Sequence, residues 1–385
     1  MTIKNLKLKL LIVKTVFPFL SWINSLLKHR DNRVLIYCNL SFRDNNKAIY
    51  DYMIEKGFNQ RYKIIVSSSD YKDYLRDTPA NVNFVGPFHA IIAYFRCRWI
   101  FYCIGKIPIA LAKDQVSIHM NHGMPIKEYS EGQYMQADTA CDFFTYVLST
   151  GKVFVPSLKR IYNIPDKNFL ISGNPKCDNL FKERANYDFG HYKKLILWVP
   201  TFRKSVSLNM DDTGCNSKIV PVLNDENFGS LDEYLGKLGV KIVVKLHPEQ
   251  DLSKYSMQNF NNFILLSHQE FVGRGMDINH FMTQADAMIT DYSSIYYDFM
   301  LLNKPIAFTN DDIKEYSQKR GLAMDPEEFR PGEKLNNFDD ICLFVKHVAN
   351  EIDEYKEKRE YVNHLVNEYQ NGNYSKRVLD VMGIV

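Results

Sequence analysis

Five short polar clusters in this chain of 385 residues combine side chains that can move protons or hold anions. In Asn121-His122-Gly123-Met124-Pro125 a histidine suited to general-base work near neutral pH precedes a glycine that lets the backbone approach a ligand. A turn histidine bonded to backbone is the plainer reading of that cluster. Lys245-Leu246-His247-Pro248 puts a cation and a second imidazole on the same side of a strand that Pro248 stops, or a solvated edge pair. Asp291-Tyr292-Ser293-Ser294 precedes a run in which Ile295, Phe299 and Leu302 recur on one helical face. A helix start there offers N–H groups, the positive dipole end and two hydroxyls to a phosphate, with Asp298 a turn further on as an acceptor for sugar hydroxyls. Simple N-capping by serine is the alternative. Pro200-Thr201-Phe202-Arg203 supplies a hydroxyl and a guanidinium suited to a base or phosphate, and Gly173-Asn174-Pro175-Lys176-Cys177-Asp178 supplies a lysine able to reach into a cleft.

Most of these clusters sit just after apolar runs that read as strands, where ligands bind in open parallel sheets. The runs at 34–40, 62–69, 80–86, 99–104 and 116–123 alternate with helical patterns such as 45–57, which Gly57 ends. The rhythm restarts after a polar stretch at 182–193, with runs at 195–200, 241–248, 262–267, 286–290 and 305–309. The expectation is an α/β protein of two Rossmann-like doubly wound domains facing a cleft. Residues 204–230 lack a period and read as a long loop or lid. Beyond 336, Phe344, Val348, Ile352 and Tyr355 mark a helical stretch that can cross back onto the first domain.

Several classes are excluded. There is no G-x-x-x-x-G-K-[ST], no G-x-G-x-x-G after the first strand, no H-E-x-x-H and no G-x-S-x-G. The net charge of +3 conceals an asymmetry: residues 1–30 carry six Lys/Arg and no acid, so the remainder is slightly acidic. That argues against a broad basic face for nucleic acid. Seven scattered cysteines without C-x-x-C fit reduced thiols. Residues 6–27 are apolar with Lys7, Lys9 and Lys14 inside the stretch and Pro18 within it, too interrupted for the ~20 residues of a spanning helix. They read either as a basic amphipathic helix on an anionic membrane surface or as a helix packed on the first domain.

In order along the chain, these clusters resemble the CDP-glycerol glycerophosphotransferase family, the teichoic-acid primases and polymerases of glycosyltransferase-B architecture. The resemblance runs from about Ser41 to Gly332 and rests on His122-Gly123-Met124-Pro125, Gly173-Asn174-Pro175-Lys176, Pro200-Thr201-Phe202-Arg203, Lys245-Leu246-His247-Pro248 and Thr290-Asp291-Tyr292-Ser293-Ser294 with Asp298. Lys304-Pro305, Tyr316 and Arg320-Gly321 extend it. Asn121, Met124, Lys176, Phe202 and Lys245 stand where the family pattern has Trp, Thr, Arg, Trp and Arg.

The resemblance implies transfer of glycerol phosphate, or a related polyol phosphate, from a CDP-activated donor to a hydroxyl of a lipid-linked or growing teichoic acid or capsular polymer, releasing CMP. It implies His122 as base and His247 against the pyrophosphate, the two imidazoles facing each other from opposite lobes. Gly123, Met124, Pro125, Ile126 and Lys176, together with Pro200, Thr201, Arg203, Lys245, Leu246, Ser293, Ser294 and Asp298, would bind substrate. No cofactor is required by these residues, and Mg2+ is compatible with them. The expected organisation is a membrane-associating segment at 1–30, an acceptor domain at 31–180, a CDP-donor domain at 181–350 and a C-terminal helical segment at 351–385, on the cytoplasmic face of the membrane. A nucleotide-sugar glycosyltransferase of the same architecture and a non-catalytic membrane-surface module are the alternatives.

Overall fold

The computed structural model describes residues 6–27, 31–128, 143–162, 164–201, 204–205, 210–211, 220–224, 226–246 and 260–385. The chain divides into two compact units. One comprises Met1–Met124, Tyr129–Asp178 and Glu368–Val385; the other comprises Pro125–Glu128 and Asn179–Asn367.

The first unit is built on seven parallel strands: β1 (Asp31–Tyr37), β2 (Lys63–Ser67), β3 (Val82–Val85), β4 (Cys97–Tyr102), β5 (Val116–His119), β6 (Tyr146–Ser149) and β7 (Phe169–Ile171). Their spatial order is β3-β2-β1-β4-β5-β6-β7, so the direction of winding reverses between β1 and β4. Val34, Leu35, Ile36, Ile64, Val66, Ile100 and Phe101 are fully buried, as the near-continuous apolar runs of a sheet covered on both faces require. After β1 the chain turns into the helix Asp44–Glu55, which stops where Gly57 adopts φ +69°.

The unit closes with the helix Tyr374–Met382, whose first two amides donate to Asp178 Oδ1 and Oδ2 at 2.7 and 2.9 Å. Gly173, at φ +83°, lies under the Tyr374 ring, and a Cβ there would stand 2.5 Å from it. Trp99 Nε1 donates to the Met382 carbonyl from the sheet. The return to the first unit is thus made by Glu368–Val385. The expected helix carrying Phe344 and Val348 is Phe338–Ala349, and both side chains join the core of the second unit. Ile352 follows that helix and is exposed.

The N-terminal helix Leu6–Leu26 is seated by its inner edge. Asn24 Nδ2 donates to Ala110 O and Gln115 Oε1, both at 2.7 Å, and Ala110 N donates to Ser21 Oγ at 2.9 Å. Val16, Phe19, Trp22 and Leu26 are exposed, with the Phe19 and Trp22 rings stacked at 5.9 Å. The packed reading of this segment holds for one edge of the helix, while these apolar side chains face outward. No helix among the described residues is long and apolar enough to cross a membrane.

The second unit contains β8 (Lys194–Val199), a short antiparallel ribbon of β9 (Lys204–Ser205) and β10 (Met210–Asp211), then β11 (Val240–Lys245), β12 (Phe263–Leu266), β13 (Ala287–Thr290), β14 (Ile306–Thr309) and β15 (Glu333–Leu335). The main sheet is parallel, in the order β12-β11-β8-β13-β14-β15, reversing between β8 and β13. Leu231 and Leu235 of the helix Asn227–Leu238 pack with Phe344 and Val348 against Ile196, Trp198 and Val244. That helix begins inside the stretch expected to be an aperiodic loop to residue 230. Most of the rest of that stretch lies outside the described residues.

Candidate active site

In the first sheet the polar residues cluster at the carboxyl ends of β1 and β5, beside the reversal point. The turn after β5 is held from several directions. Asn121 adopts φ +58°, a left-handed conformation that Asn tolerates better than most residues. Its Nδ2 donates to Leu148 O at 2.9 Å and its Oδ1 accepts from the Tyr162 hydroxyl at 2.6 Å. Its backbone N–H donates to His119 Nδ1 at 3.3 Å. Burial pushes the His119 pKa down to about 4, although the bond to Asn121 opposes the shift, so this imidazole is a neutral structural acceptor. On the other side, Asn45 Nδ2 donates to the carbonyls of Met120 and Asn121 at 3.2 and 2.9 Å.

This scaffold presents His122 with its side chain 63% exposed. Its Nδ1 contacts a carboxylate oxygen of Asp44, whose side chain is only 6% exposed. Lys176 completes the group: its Nζ lies 3.4 Å from Asp44 Oδ1 and donates to His122 O at 2.8 Å. Lys176 is itself 11% exposed, and its ammonium, expected to help bind substrate, is held at this turn. Burial alone would raise the Asp44 pKa, but Lys176 and His122 outweigh it and hold the carboxyl well below the usual carboxylate range. Met124 is buried, its sulfur 3.5 Å from the Thr150 amide. It anchors the turn in the first unit and is not open to solvent.

The run expected to act as one subsite is divided: Gly123 and Met124 belong to the first unit, Pro125 and Ile126 to the second. There Lys127 bridges antiparallel to Leu322, Ala323 N donates to Ile126 O at 2.7 Å, and Lys127 Nζ lies 5.8 Å over the Tyr316 ring.

In the second sheet the expected clusters meet at the reversal point, because Val199 of β8 pairs with Thr290 of β13. Asp291 is fully buried and accepts from Thr201 N at 3.0 Å, Thr201 Oγ1 at 2.9 Å and Tyr292 N at 2.6 Å. Its carboxylate therefore locks the Pro200-Thr201 turn to the Tyr292-Ser293-Ser294 turn. The Tyr292 ring stacks on Tyr316 at 3.7 Å and its hydroxyl donates to Asp312 at 2.8 Å. Arg330 sits 5.3 Å over the Tyr292 ring and donates to Thr309 O and Asn310 Oδ1, both at 3.0 Å.

Ser293 and Ser294 are half-buried, and Ser294 makes no side-chain cap, so plain N-capping does not account for it. The helix they open is shorter than expected: five α residues, Ile295–Phe299, then a 3-10 turn, Met300–Leu302. Ile295 and Leu302 are only half-buried, and the buried side is carried by Tyr296, Tyr297 and Phe299. Asp298 is 2% exposed, which places its carboxylate inside the unit and not on an open surface. Lys245, half-buried at the end of β11, has Nζ 5.8 Å over the Phe271 ring, while Leu246 is buried and Pro200 closes β8. His247, Pro248, Phe202 and Arg203 lie outside the described residues. Among the described residues, no three His, Cys, Asp or Glu side chains come together in a way that could hold a metal ion.

Two parallel doubly wound sheets, each with its polar residues gathered at the carboxyl strand ends, define a fold of glycosyltransferase-B type. Residues 19–383 match the family CDP-glycerol:poly(glycerophosphate) glycerophosphotransferase, and the chain belongs to that family. It is similar to the teichoic acid glycerol-phosphate primase of Bacillus subtilis (strain 168), with 28% identity over 58% of this chain and 53% of that protein. The chain thus spans about half the length of the primase. It is also similar to the teichoic acid poly(glycerol phosphate) polymerase of Bacillus spizizenii, with 23% identity over 90% of both chains. The structure of the wall teichoic acid polymerase TagF superposes with a TM-score of 0.73 at 19% identity, covering 100% of this chain and 98% of that one.

Asp44 is the site residue that the motifs missed. It opens the helix that follows β1, a place where acidic residues are ordinary because they suit a helix N-terminus, and only its position after β1, beside the sheet's reversal point, sets it apart.

Proposed function

We propose that this protein transfers glycerol phosphate from CDP-glycerol to a hydroxyl of a lipid-linked or growing teichoic acid polymer, releasing CMP. The observation that carries this reading is His122: an exposed imidazole held through Nδ1 by a buried carboxylate at a strand end of the first sheet, in a chain of this family. As base, His122 Nε2 takes the acceptor hydroxyl proton while the acceptor oxygen forms a bond to the phosphorus that bears the glycerol. The bond from that phosphorus to the bridging oxygen breaks, and CMP leaves with the electron pair. His247 and Lys245, with the hydroxyls of Ser293 and Ser294, are assigned to the diphosphate, whose charge they share. Thr201, set by Asp291, is assigned to the cytidylyl half.

Incubation of the protein with CDP-glycerol, CDP-ribitol and UDP-sugars on a lipid-linked acceptor tests this. CMP release from CDP-glycerol is expected; UMP or UDP release alone would overturn it, and CDP-ribitol as sole donor would reassign the polyol.

We further place the protein at the cytoplasmic membrane surface, for which the outward Val16, Phe19, Trp22 and Leu26 with the neighbouring lysines are the support. Each lysine near an anionic leaflet contributes about 1 kcal/mol. Deleting residues 1–23, short of buried Asn24, is expected to reduce cosedimentation with anionic vesicles at least about tenfold, while neutral vesicles bind neither form well. Equal binding of both forms to anionic vesicles would remove this placement.

A further inference from the structure

We propose that Asp44 is the positioning residue for the base: it holds His122 in the tautomer with hydrogen on Nδ1, leaving the Nε2 lone pair for the acceptor hydroxyl. The proposal rests on the reading of His122 as base and adds to it the device that makes the imidazole usable.

The first argument is chemical. A carboxylate held well below the usual range is ionised at neutral pH and can only accept hydrogen bonds. The nitrogen that contacts it, Nδ1, must therefore carry a proton. In a neutral imidazole that leaves Nε2 unprotonated, and the exposed ring keeps this atom within reach of a substrate.

The second argument is the construction around the carboxylate. Asp44 adopts φ +63° at the head of its helix, a left-handed conformation that costs a non-glycine residue about 1 kcal/mol. Its Oδ1 accepts from the Asn45 amide at 2.9 Å. The adjacent Asn45 side chain clamps the other end of the device, donating to the carbonyls before His122 and accepting from the Lys176 amide at 3.1 Å. Lys176 then bridges carboxylate and turn, since its Nζ reaches both Asp44 Oδ1 and His122 O. Carboxylate, lysine and imidazole backbone are thereby fixed to one another, so the ring orientation does not depend on substrate. On this reading Lys176 keeps Asp44 charged and in register, a role different from gripping the donor.

The test is Asp44→Asn. Asparagine tolerates the left-handed backbone and matches aspartate in size, but it can turn an NH2 donor toward Nδ1 and so favour hydrogen on Nε2. The expected result is a fall in kcat for CMP release of about 10²–10⁴-fold, with KM for CDP-glycerol changed less than about threefold. Long-range nitrogen–proton NMR of the His122 ring, assigned by its loss in His122→Gln, is expected to show the Nδ1–H tautomer in the natural protein and its loss in the variant. Wild-type kcat in Asp44→Asn, a change confined to KM, or an Nε2–H tautomer in the natural protein would each overturn the proposal. The last readout needs no variant to fold. If His122→Gln itself turns over normally, the base assignment fails instead, which separates the two ideas.

Discussion

Replacing His122 by alanine is expected to lower kcat for CMP release from CDP-glycerol by at least about a hundredfold, toward 10⁴-fold, while leaving the fold intact. The magnitude is that of a general base removed from a step in which the attacking hydroxyl must lose its proton. The intact fold follows from where the ring sits: it is exposed, and the turn that carries it is held by Asn45, Asn121, Cys103 and Lys176 through bonds that do not involve the imidazole. Asp44 loses one partner in this variant but keeps Lys176, so no buried charge is left alone. Steady-state CMP release, with a thermal melt of the same preparation, checks the expectation. Turnover within threefold of the natural protein would remove His122 from the chemistry, and a collapsed melt would mean that the ring is structural.

The contrast with His119, three residues earlier, shows why residue type alone does not find a base. Both histidines are close to the end of the same strand. One is enclosed by Tyr102, Phe144 and Tyr162 and depressed by burial, the other points outward onto a carboxylate. Sequence periodicity distinguishes them only through the turn at Asn121, whose left-handed backbone ends the strand's alternation and directs the next side chain out of the sheet.

The same limit governs what else was legible. The apolar runs that became β1, β2, β4, β8 and β11 were plain because each buries consecutive Val, Ile, Leu or Phe side chains, and the shorter β3, β5, β12, β13 and β14 were marked by apolar residues between polar stretches. β6, β7 and β15 are three or four residues long, and β6 and β15 carry polar or charged members, so no period has room to develop. The helix start at Ser293-Ser294 was recognisable, but the length of the helix was not: Asn303 adopts φ +49° after a 3-10 turn, ending a helix that the spacing of Ile295, Phe299 and Leu302 would have continued. The role of Asp291 was hidden for another reason. Its partners, Thr201 N and Oγ1, lie 90 residues away and meet it only because β8 and β13 are neighbours at the reversal of winding.

That dependence on neighbouring strands yields the second large effect, and its control uses the same chemical change. Gly332 enters β15 beside β14, and a Cβ added there would lie inside van der Waals contact of the Ile306 carbonyl oxygen, 2.8 Å from its carbon and 3.0 Å from Phe308. The two Ile306 atoms are backbone of a buried strand and cannot rotate aside, so Gly332→Ala must push β15 off β14, where Ala307 pairs with Glu333. The residue two positions earlier, Arg330, would move with it, loosening the guanidinium from Tyr292 and Thr309. A cost of about 3 kcal/mol is expected from overpacking with loss of ladder bonds, a fall in Tm of about 6–12 °C for a unit of this size. Gly229→Ala adds the same methyl to an exposed glycine of the helix Asn227–Leu238 with nothing within 4 Å, and removing backbone freedom there is expected to stabilise by about 0.5 kcal/mol. Thermal melts of the two variants should therefore move in opposite directions, and only Gly332→Ala should also weaken binding of cytidine nucleotide, since only it disturbs the arginine that braces the Tyr292 turn. A Gly332→Ala protein that melts with the natural one would show that β14 and β15 are farther apart than this packing requires.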